Sequence, residues 1–229
     1  MSKFFVVEDG YYSLSAAGTT LFIVLTVILL ALVAFIKTQS TNKDGEKAPL
    51  FSTKQLVFSA VAMALGYALS YVKLIKMPWG GSVTLCSMLF IVLIGYLYGP
   101  KIGLICGFTF SILQFVQDGG SYILTPLQVA FDYFVAFTAL GASGFFYKKK
   151  NGLLIGYIVA ILLRGLSQTI AGYLYWMDYM PEEFPAKLAF IYPVCYNYSF
   201  ILLEGLITVI IISLPPVKNA INKVRDMAS

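Results

Sequence analysis

The chain has 229 residues, of which 59% are hydrophobic, 16% are aromatic and only 12% are charged. This composition excludes an ordinary soluble domain and indicates an integral membrane protein. The sequence contains no histidine. Because histidine is the commonest metal ligand and general base, we expect neither a metal site nor a catalytic triad.

Apolar runs long enough to cross a bilayer, which takes about 20 residues, recur along the whole chain. Backbone groups in lipid must be hydrogen-bonded internally, and no window has the alternating pattern of a membrane strand, so the runs predict helices. The sequence therefore predicts an all-α membrane protein with seven transmembrane helices, over approximately 19–36, 55–72, 83–98, 102–117, 122–146, 152–176 and 189–213.

The first apolar run is preceded by Glu8 and Asp9 rather than by basic residues. We interpret it as a retained span and not as a signal peptide. A polar stretch at 37–54 separates it from the other runs. This pattern predicts two parts: an N-terminal anchor helix with a cytoplasmic linker over 1–50, and a six-helix membrane domain over 51–229. Ser52 or Thr53 is expected to cap the first helix of that domain.

The basic residues predict the orientation of the chain, because lysine and arginine near the ends of spans remain in the cytoplasm. With the N-terminus outside, eleven basic residues lie in inner segments and four in outer ones. The net charge of +5 then reflects membrane sidedness, not nucleic-acid binding. We expect a multi-pass protein of a bacterial plasma membrane with a cytoplasmic C-terminus. The inner residues are Lys37, Lys43, Lys47, Lys54, Lys101, Lys148, Lys149, Lys150, Lys218, Lys223 and Arg225, and the outer ones Lys3, Lys73, Lys76 and Lys187.

Two stripes of small residues recur at a spacing of four, which allows another helix to approach closely. For one stripe, internal packing and a partner helix are both open: Ala60, Ala64 and Ala68. For the other we expect packing inside the bundle: Gly95, Gly99, Gly103 and Gly107. The three cysteines are scattered without metal-site spacing and are expected to be small buried side chains: Cys86, Cys106 and Cys195.

Segment 77–82 contains a proline, Trp79 and two glycines. Proline ends a helix and paired glycines allow a tight or mobile backbone, so the segment predicts an outer loop with one large aromatic side chain. Trp79 then serves either as a lid over a pocket that opens outwards or as an anchor at the lipid headgroups.

Polar and aromatic residues also collect in the outer halves of three predicted helices. Charge at such a depth is costly and is a sign of function. A carboxylate, amides and aromatic rings together suit a flat, cationic small molecule. An ion pair between Asp132 and Arg164 is the alternative. The residues are Gln128, Asp132 and Tyr133; Arg164 (which lies deeper than the rest), Gln168, Gly172 and Trp176; and Tyr192, Tyr196, Asn197 and Ser199.

Glu204 is a further carboxylate, about two turns deeper in the last predicted helix than Asn197. Such a group carries a proton or a coupling ion, or it bonds to a neighbouring helix. The sequence leaves both possibilities open.

Four segments follow one another along the chain: KMPWGGSVTL, YGPKIGL, TPLQVAFDYFVAFTALGASGFF and YPVCYNYSFILLEG. In this order they resemble the thiamine-specific substrate-binding component (S component) of energy-coupling factor (ECF) transporters, and the resemblance covers about 52–215. The resemblance implies a six-helix bundle, to which this chain adds an N-terminal helix. It also implies capture of a vitamin from outside, without catalysis or a cofactor. The implied partners are a transmembrane coupling protein and two cytoplasmic ATPases, which fits the lack of a GxxxxGK[ST] phosphate loop in this chain.

The resemblance also assigns roles to individual residues. Trp79 matches the lid tryptophan of the family, and the small-residue stripe that meets the coupling protein matches Ala60, Ala64 and Ala68. The ligand-binding positions of the family match Asp132, Tyr133, Arg164, Gly172, Trp176, Tyr192 and Asn197.

Two positions depart from the family pattern. Asp132 stands where a glutamate is expected, and Gln168 stands where a ring-stacking histidine is expected. These changes leave open another ring-containing vitamin, such as pyridoxine or a thiamine precursor. A stand-alone secondary transporter, with Asp132, Arg164 and Glu204 as an ion relay, is a further alternative.

Overall fold

The computed structural model describes residues 5–8, 11–18, 20, 21, 24, 40, 41, 47, 48, 51–118 and 122–228. The predicted span at 19–36 lies almost entirely outside the described residues. Two short antiparallel hairpins occur in the predicted anchor region, β1 (Phe5–Glu8) with β2 (Tyr11–Leu14) and β3 (Ser40–Thr41) with β4 (Lys47–Ala48).

From residue 51 onwards the chain is mainly helical. Each helix falls on or next to a predicted apolar run, except the last, which the sequence analysis did not predict. Three helices in the described part of the chain are long and apolar enough to cross a membrane: α4, α5 and α6. An all-α membrane fold is therefore confirmed, whereas seven spans stay a prediction. The helices are α1 (Thr53–Ser70), α2 (Ser87–Tyr98), α3 (Pro100–Asp118), α4 (Pro126–Phe146), α5 (Gly152–Tyr175), α6 (Tyr192–Ser213) and α7 (Pro215–Ala228).

The helices begin where local chemistry favours it. The side chain of Ser52 accepts a hydrogen bond from the backbone N–H of Gln55, and the Gln55 side chain accepts one from the N–H of Ser52. This capping box confirms the predicted start of α1. Helix α4 begins with Pro126 directly after the capping residue Thr125, because proline suits the first helical position.

Helix α4 is not a uniform α-helix. Its first turn is α-helical, Ala130–Val135 is a π-helix and Ala139–Phe146 is a 3₁₀-helix. Ser167 and Gln168 of α5 donate side-chain hydrogen bonds to the main-chain carbonyls of Phe131 and Asp132, at 2.7 and 3.3 Å. Helix α5 therefore binds the backbone of the π-helical turn, a feature often found at functional sites.

The glycine stripe packs inside the bundle, as predicted. A Cβ atom on Gly103 would lie 2.6 Å from the carbonyl oxygen of Gly141, and one on Gly107 would lie 2.9 Å from that of Thr138. The backbones of α3 and α4 are thus in direct contact. Around them lies a core that includes the fully buried side chains of Met88, Phe110, Leu140 and Tyr157.

The predicted outer loop is the connection of a third hairpin. Strand β5 (Lys73–Lys76) pairs with β6 (Ser82–Thr84), and Trp79 lies in the turn between them. On the preceding helix α1, all three residues of the alanine stripe are exposed: Ala60, Ala64 and Ala68. That stripe therefore lies on the surface of the described domain and is not packed against another of its helices.

Candidate functional site

The carboxylate of Asp132 is the centre of a hydrogen-bond cluster on the π-helical turn of α4. Its Oδ2 atom accepts hydrogen bonds from Nε2 of Gln128 at 2.6 Å and from Nε1 of Trp176 at 2.9 Å. Gln128 lies one turn earlier on α4, and Trp176 directly follows α5. Hydrogen bonds to a charged acceptor are strong in an apolar environment, so these two donors stabilise the carboxylate between the helices.

Gln168 lies beside Asp132 and has one polar atom without a partner. Its Nε2 atom donates to the main-chain carbonyl of Asp132, whereas its Oε1 atom is buried and has no hydrogen-bond donor among the described residues. A buried acceptor left unpaired costs about 1–3 kcal/mol. The site therefore contains an acceptor that an N–H or O–H group of a ligand can satisfy.

Asn197 and Gly172 connect α5 with α6 next to this cluster. The Nδ2 atom of Asn197 donates to the carbonyls of Gln168 at 3.2 Å and Pro193 at 2.9 Å. A Cβ atom on Gly172 would lie 2.7 Å from Cβ of Pro193. Pro193 thus occupies the space beside Gly172, and this glycine allows the two helices to pack closely.

Arg164 lies one turn before Gln168 on α5. Its guanidinium carbon is 4.3 Å from the centroid of the Phe137 ring, an attractive cation–π arrangement. The ring of Tyr133 is stacked against Phe137 at 6.5 Å. In the described part of the chain the Asp132 carboxylate contacts Gln128 and Trp176 and forms no ion pair with Arg164, so the ion-pair alternative is not supported.

A cavity of about 420 Å³ lies between Trp79 and the first turns of α6. Tyr192 and Tyr196 contact each other there, with ring centroids 5.8 Å apart. Pro193, which directly follows Tyr192, accepts the hydrogen bond from Asn197, and this connects the cavity with the cluster. The lining residues are mainly aromatic or proline: Pro78, Trp79, Pro181, Glu183, Phe184, Pro185, Tyr192, Cys195 and Tyr196.

The structure thus brings all nine predicted ligand-binding positions into two adjoining groups. The inner group, around Asp132 and Phe137, contains Asp132, Tyr133, Arg164, Gln168, Gly172, Trp176 and Asn197. The cavity group contains Trp79 and Tyr192.

Sequence analysis did not select several residues of these groups. Phe137 is part of an apolar run, and Glu183, Phe184 and Pro185 lie in the connection between α5 and α6, which has no motif. The prediction that Cys195 is buried was wrong, because it is exposed and lines the cavity, whereas Cys86 and Cys106 are buried as predicted. Cys195 follows Tyr192 by three residues and so lies on the same helix face, which could have indicated that both residues line one site.

Glu204 has a different environment from Asp132. Its carboxylate is 3% exposed and accepts hydrogen bonds from Thr84, Ser87 and Met88. Of the two roles left open by the sequence, bonding to a neighbouring segment is the one that the structure supports. Among the described residues, no group of three or more potential metal ligands is present.

The fold and the site define a helical membrane protein in which an aromatic cavity lies beside a buried polar cluster. The family described as "Thiamine transporter protein (Thia_YuaJ)" matches residues 56–223. The chain is also 31% identical over 153 residues to thiamine transporter ThiT of Bacillus subtilis (strain 168), a match covering 61% of this chain and 77% of that protein. The chain therefore belongs to the thiamine transporter protein family, and it is a transport protein, not an enzyme.

A solved structure is similar in fold. ThiT from Listeria monocytogenes superimposes with a TM-score of 0.57 and 24% sequence identity, covering 71% of this chain and 94% of that chain. This likeness agrees with an all-helical membrane fold for the described domain.

Proposed function

We propose that the chain is the substrate-binding subunit of an ECF-type transporter and that it binds thiamine from outside the cell. Membership of the thiamine transporter family supports the ligand class. The observation that carries the binding site is the Asp132 carboxylate, held by Gln128 and Trp176 beside the unpaired acceptor of Gln168.

Thiamine joins a positively charged thiazolium ring to an aminopyrimidine ring. In the proposed complex the Asp132 carboxylate balances the positive charge, and Tyr133, Trp176 and Tyr192 contact the ring faces. The Oε1 atom of Gln168 accepts a hydrogen bond from the amino group. Arg164 and Asn197 complete the polar lining, Gly172 allows the close packing that places Asn197, and Trp79 closes over the ligand.

The proposed partners are a transmembrane coupling protein and two cytoplasmic ATPases. The exposed alanine stripe of α1 supports the first of these, because small residues allow a helix of another protein to pack closely. The ATPases supply the energy for uptake. The proposed orientation has the N-terminus outside and the C-terminus in the cytoplasm of a bacterial cell, as the distribution of basic residues predicts.

Thiamine titration of the purified protein tests the ligand. Trp79 and Trp176 are the only tryptophans and both belong to the proposed site, so we expect a saturable fall in tryptophan fluorescence. Mass spectrometry of the small molecules that co-purify is the independent measurement. Pyridoxine and the free aminopyrimidine precursor are the matched comparison ligands. Binding of either one in preference to thiamine would show that the vitamin is wrongly assigned.

A further inference from the structure

Glu204 is a buried carboxylate that the proposed binding site does not use. Its Oε2 atom accepts hydrogen bonds from the backbone N–H of Thr84 at 2.8 Å and from the Thr84 hydroxyl at 2.7 Å. Its Oε1 atom accepts weaker ones from the Ser87 hydroxyl at 3.4 Å and the N–H of Met88 at 3.5 Å. All these donors lie at the end of β6 or in the first turn of α2, where unpaired N–H groups favour a negative charge.

The segment that leads from Trp79 to Thr84 lies along one face of α6. Gly80 contacts Tyr196, Gly81 contacts Phe200 and Thr84 binds Glu204. The three α6 residues are spaced by four, so they share one face of the helix. Gly80 and Gly81 have φ values of +101° and +79°, and a Cβ atom on either would lie 2.5 Å from the facing aromatic side chain.

The two ends of this segment are held very differently. At the outer end, Trp79 is 45% exposed and donates one hydrogen bond, of 3.2 Å, to the hydroxyl of Ser199. At the inner end, Val83 is fully buried and Thr84 binds the carboxylate through two groups. Because hydrogen bonds to a charged group are stronger than neutral ones, the inner end is held more firmly than the outer end.

We propose that Glu204 is a positioning residue for the Trp79 hairpin. It fixes Thr84 and the start of α2 on α6, so that opening and closing over the cavity are confined to the turn at Gly80 and Gly81. The inference rests on the proposed binding site, for which this hairpin is the lid. Its role differs from that of an ion relay, because each carboxylate oxygen is already engaged by donors that belong to one structural segment.

Cys195 reports on the lid, because it lines the cavity beside Trp79 while Cys86 and Cys106 are buried. We expect Glu204→Gln to raise the alkylation rate of Cys195 by maleimide at least fivefold in ligand-free protein. Thr84→Val keeps the backbone N–H and loses the hydroxyl, so it should give a smaller rise. The double variant should react no faster than Glu204→Gln alone, since both changes remove the same interaction.

Two further variants separate the anchor from general loss of stability. Gly103→Ala disturbs packing between α3 and α4, away from the hairpin, and should leave the Cys195 rate as in the unmodified chain. Ser199→Ala removes the hydrogen bond from Trp79 and the one that Ser199 donates to the carbonyl of Tyr196 within α6. It leaves Thr84 bound to Glu204, so it should raise the rate less than Glu204→Gln. If Glu204→Gln does not fold, the milder Thr84→Val decides the outcome on the same measurement.

Thiamine kinetics supply the second readout. Glu204→Gln should dissociate from thiamine at least tenfold faster, with little change in the association rate, because the closed lid is less well held. Unchanged Cys195 alkylation and dissociation in folded Glu204→Gln protein would overturn the inference. If Glu204→Gln loses thiamine uptake while Cys195 alkylation and thiamine dissociation stay unchanged, the inference is also overturned, and Glu204 has a role in transport. If the unmodified protein does not bind thiamine, the proposed ligand is wrong, and alkylation of ligand-free protein still tests the anchor.

Discussion

A carboxylate in an apolar bundle is stable only where donors or cations surround it. Asp132 meets this requirement through the side-chain N–H groups of Gln128 and Trp176. Its side chain is one methylene shorter than the glutamate expected from the family resemblance. The indole of Trp176 donates a hydrogen bond to Asp132 at 2.9 Å. The carboxylate that is proposed to balance the charge of the ligand therefore also fixes the ring that is proposed to stack on the ligand.

The variants Asp132→Asn and Trp176→Ala should each weaken thiamine binding at least tenfold, or by about 1.4 kcal/mol. The first removes the negative charge with little change in shape, and the second removes the ring that contacts the ligand. Isothermal titration calorimetry measures the affinity. Asp178→Asn is the control, because Asp178 is an exposed residue of the same outer region. Native affinity in both site variants would contradict the assignment.

Gln168→Met should separate the two functions of this side chain. Methionine has a similar volume but no hydrogen-bonding amide, so we expect thiamine affinity to fall about tenfold when the acceptor is lost. Without ligand, the variant loses one hydrogen bond and also the unpaired buried oxygen. These effects oppose each other, so ligand-free stability should change by less than about 1 kcal/mol. A large loss of stability with unchanged affinity would mean that Gln168 serves the fold alone.

The helices are positioned by close backbone contacts as well as by side chains. Gly103 brings α3 against the 3₁₀-helical end of α4, while the π-helical turn of the same helix presents Asp132 to α5. Irregular helical turns are uncommon. In α4 the π-helical half carries Asp132, and the 3₁₀-helical half packs closely against the backbone of α3. The geometry of α4 therefore couples the stability of the bundle to the position of Asp132.

Substitution of Gly103 by alanine should destabilise the protein by about 1–3 kcal/mol. The added methyl group would lie 2.6 Å from a backbone oxygen that cannot move without shifting α4. Gly205→Ala is the matched control, because its methyl group would meet only the flexible end of the Ile161 side chain, also at 2.6 Å. Thermal unfolding in detergent compares the two variants. Equal losses would show that backbone contact is not the cause.

In the proposed function the chain binds substrate, and its sequence contains no nucleotide-hydrolysing phosphate loop, so uptake depends on other proteins. The alanine stripe on α1 is exposed in the described domain and lies next to the exposed side chains of Val57 and Val61. A lipid-facing helix needs no small residues at this spacing, whereas a helix that packs on another protein benefits from them.

Ala64→Leu should therefore reduce thiamine uptake by cells at least tenfold and leave thiamine binding by the purified protein unchanged. The larger side chain prevents close approach of the coupling protein but lies away from the pocket. Ile210→Phe is the control, since Ile210 is also exposed but lies on α6. Equal uptake by the two variants would contradict this interface. Uptake by liposomes that contain this chain alone, driven by a pH gradient, would instead support a secondary transporter.

The membrane class and the helices α1 to α6 could be predicted from the order of residues alone, whereas α7 was not predicted and the ligand-binding residues stay a prediction. Transfer of apolar groups into lipid favours helices wherever a long apolar run occurs, whatever its neighbours are. The capped start of α1 and the packed glycines depend on patterns a few residues long. Such short-range features need no knowledge of which helices are in contact, and these two were confirmed.

The partners of the buried polar groups could not be predicted in this way. Trp176 is 44 residues from Asp132 and Thr84 is 120 residues from Glu204, so only the packed helices bring each pair together. The π-helical turn, the exposed thiol of Cys195 and the contact of Gly172 with Pro193 likewise depend on neighbouring helices. A buried polar side chain needs a hydrogen-bond partner whatever the fold, but only the packing of the helices determines which partner lies within reach.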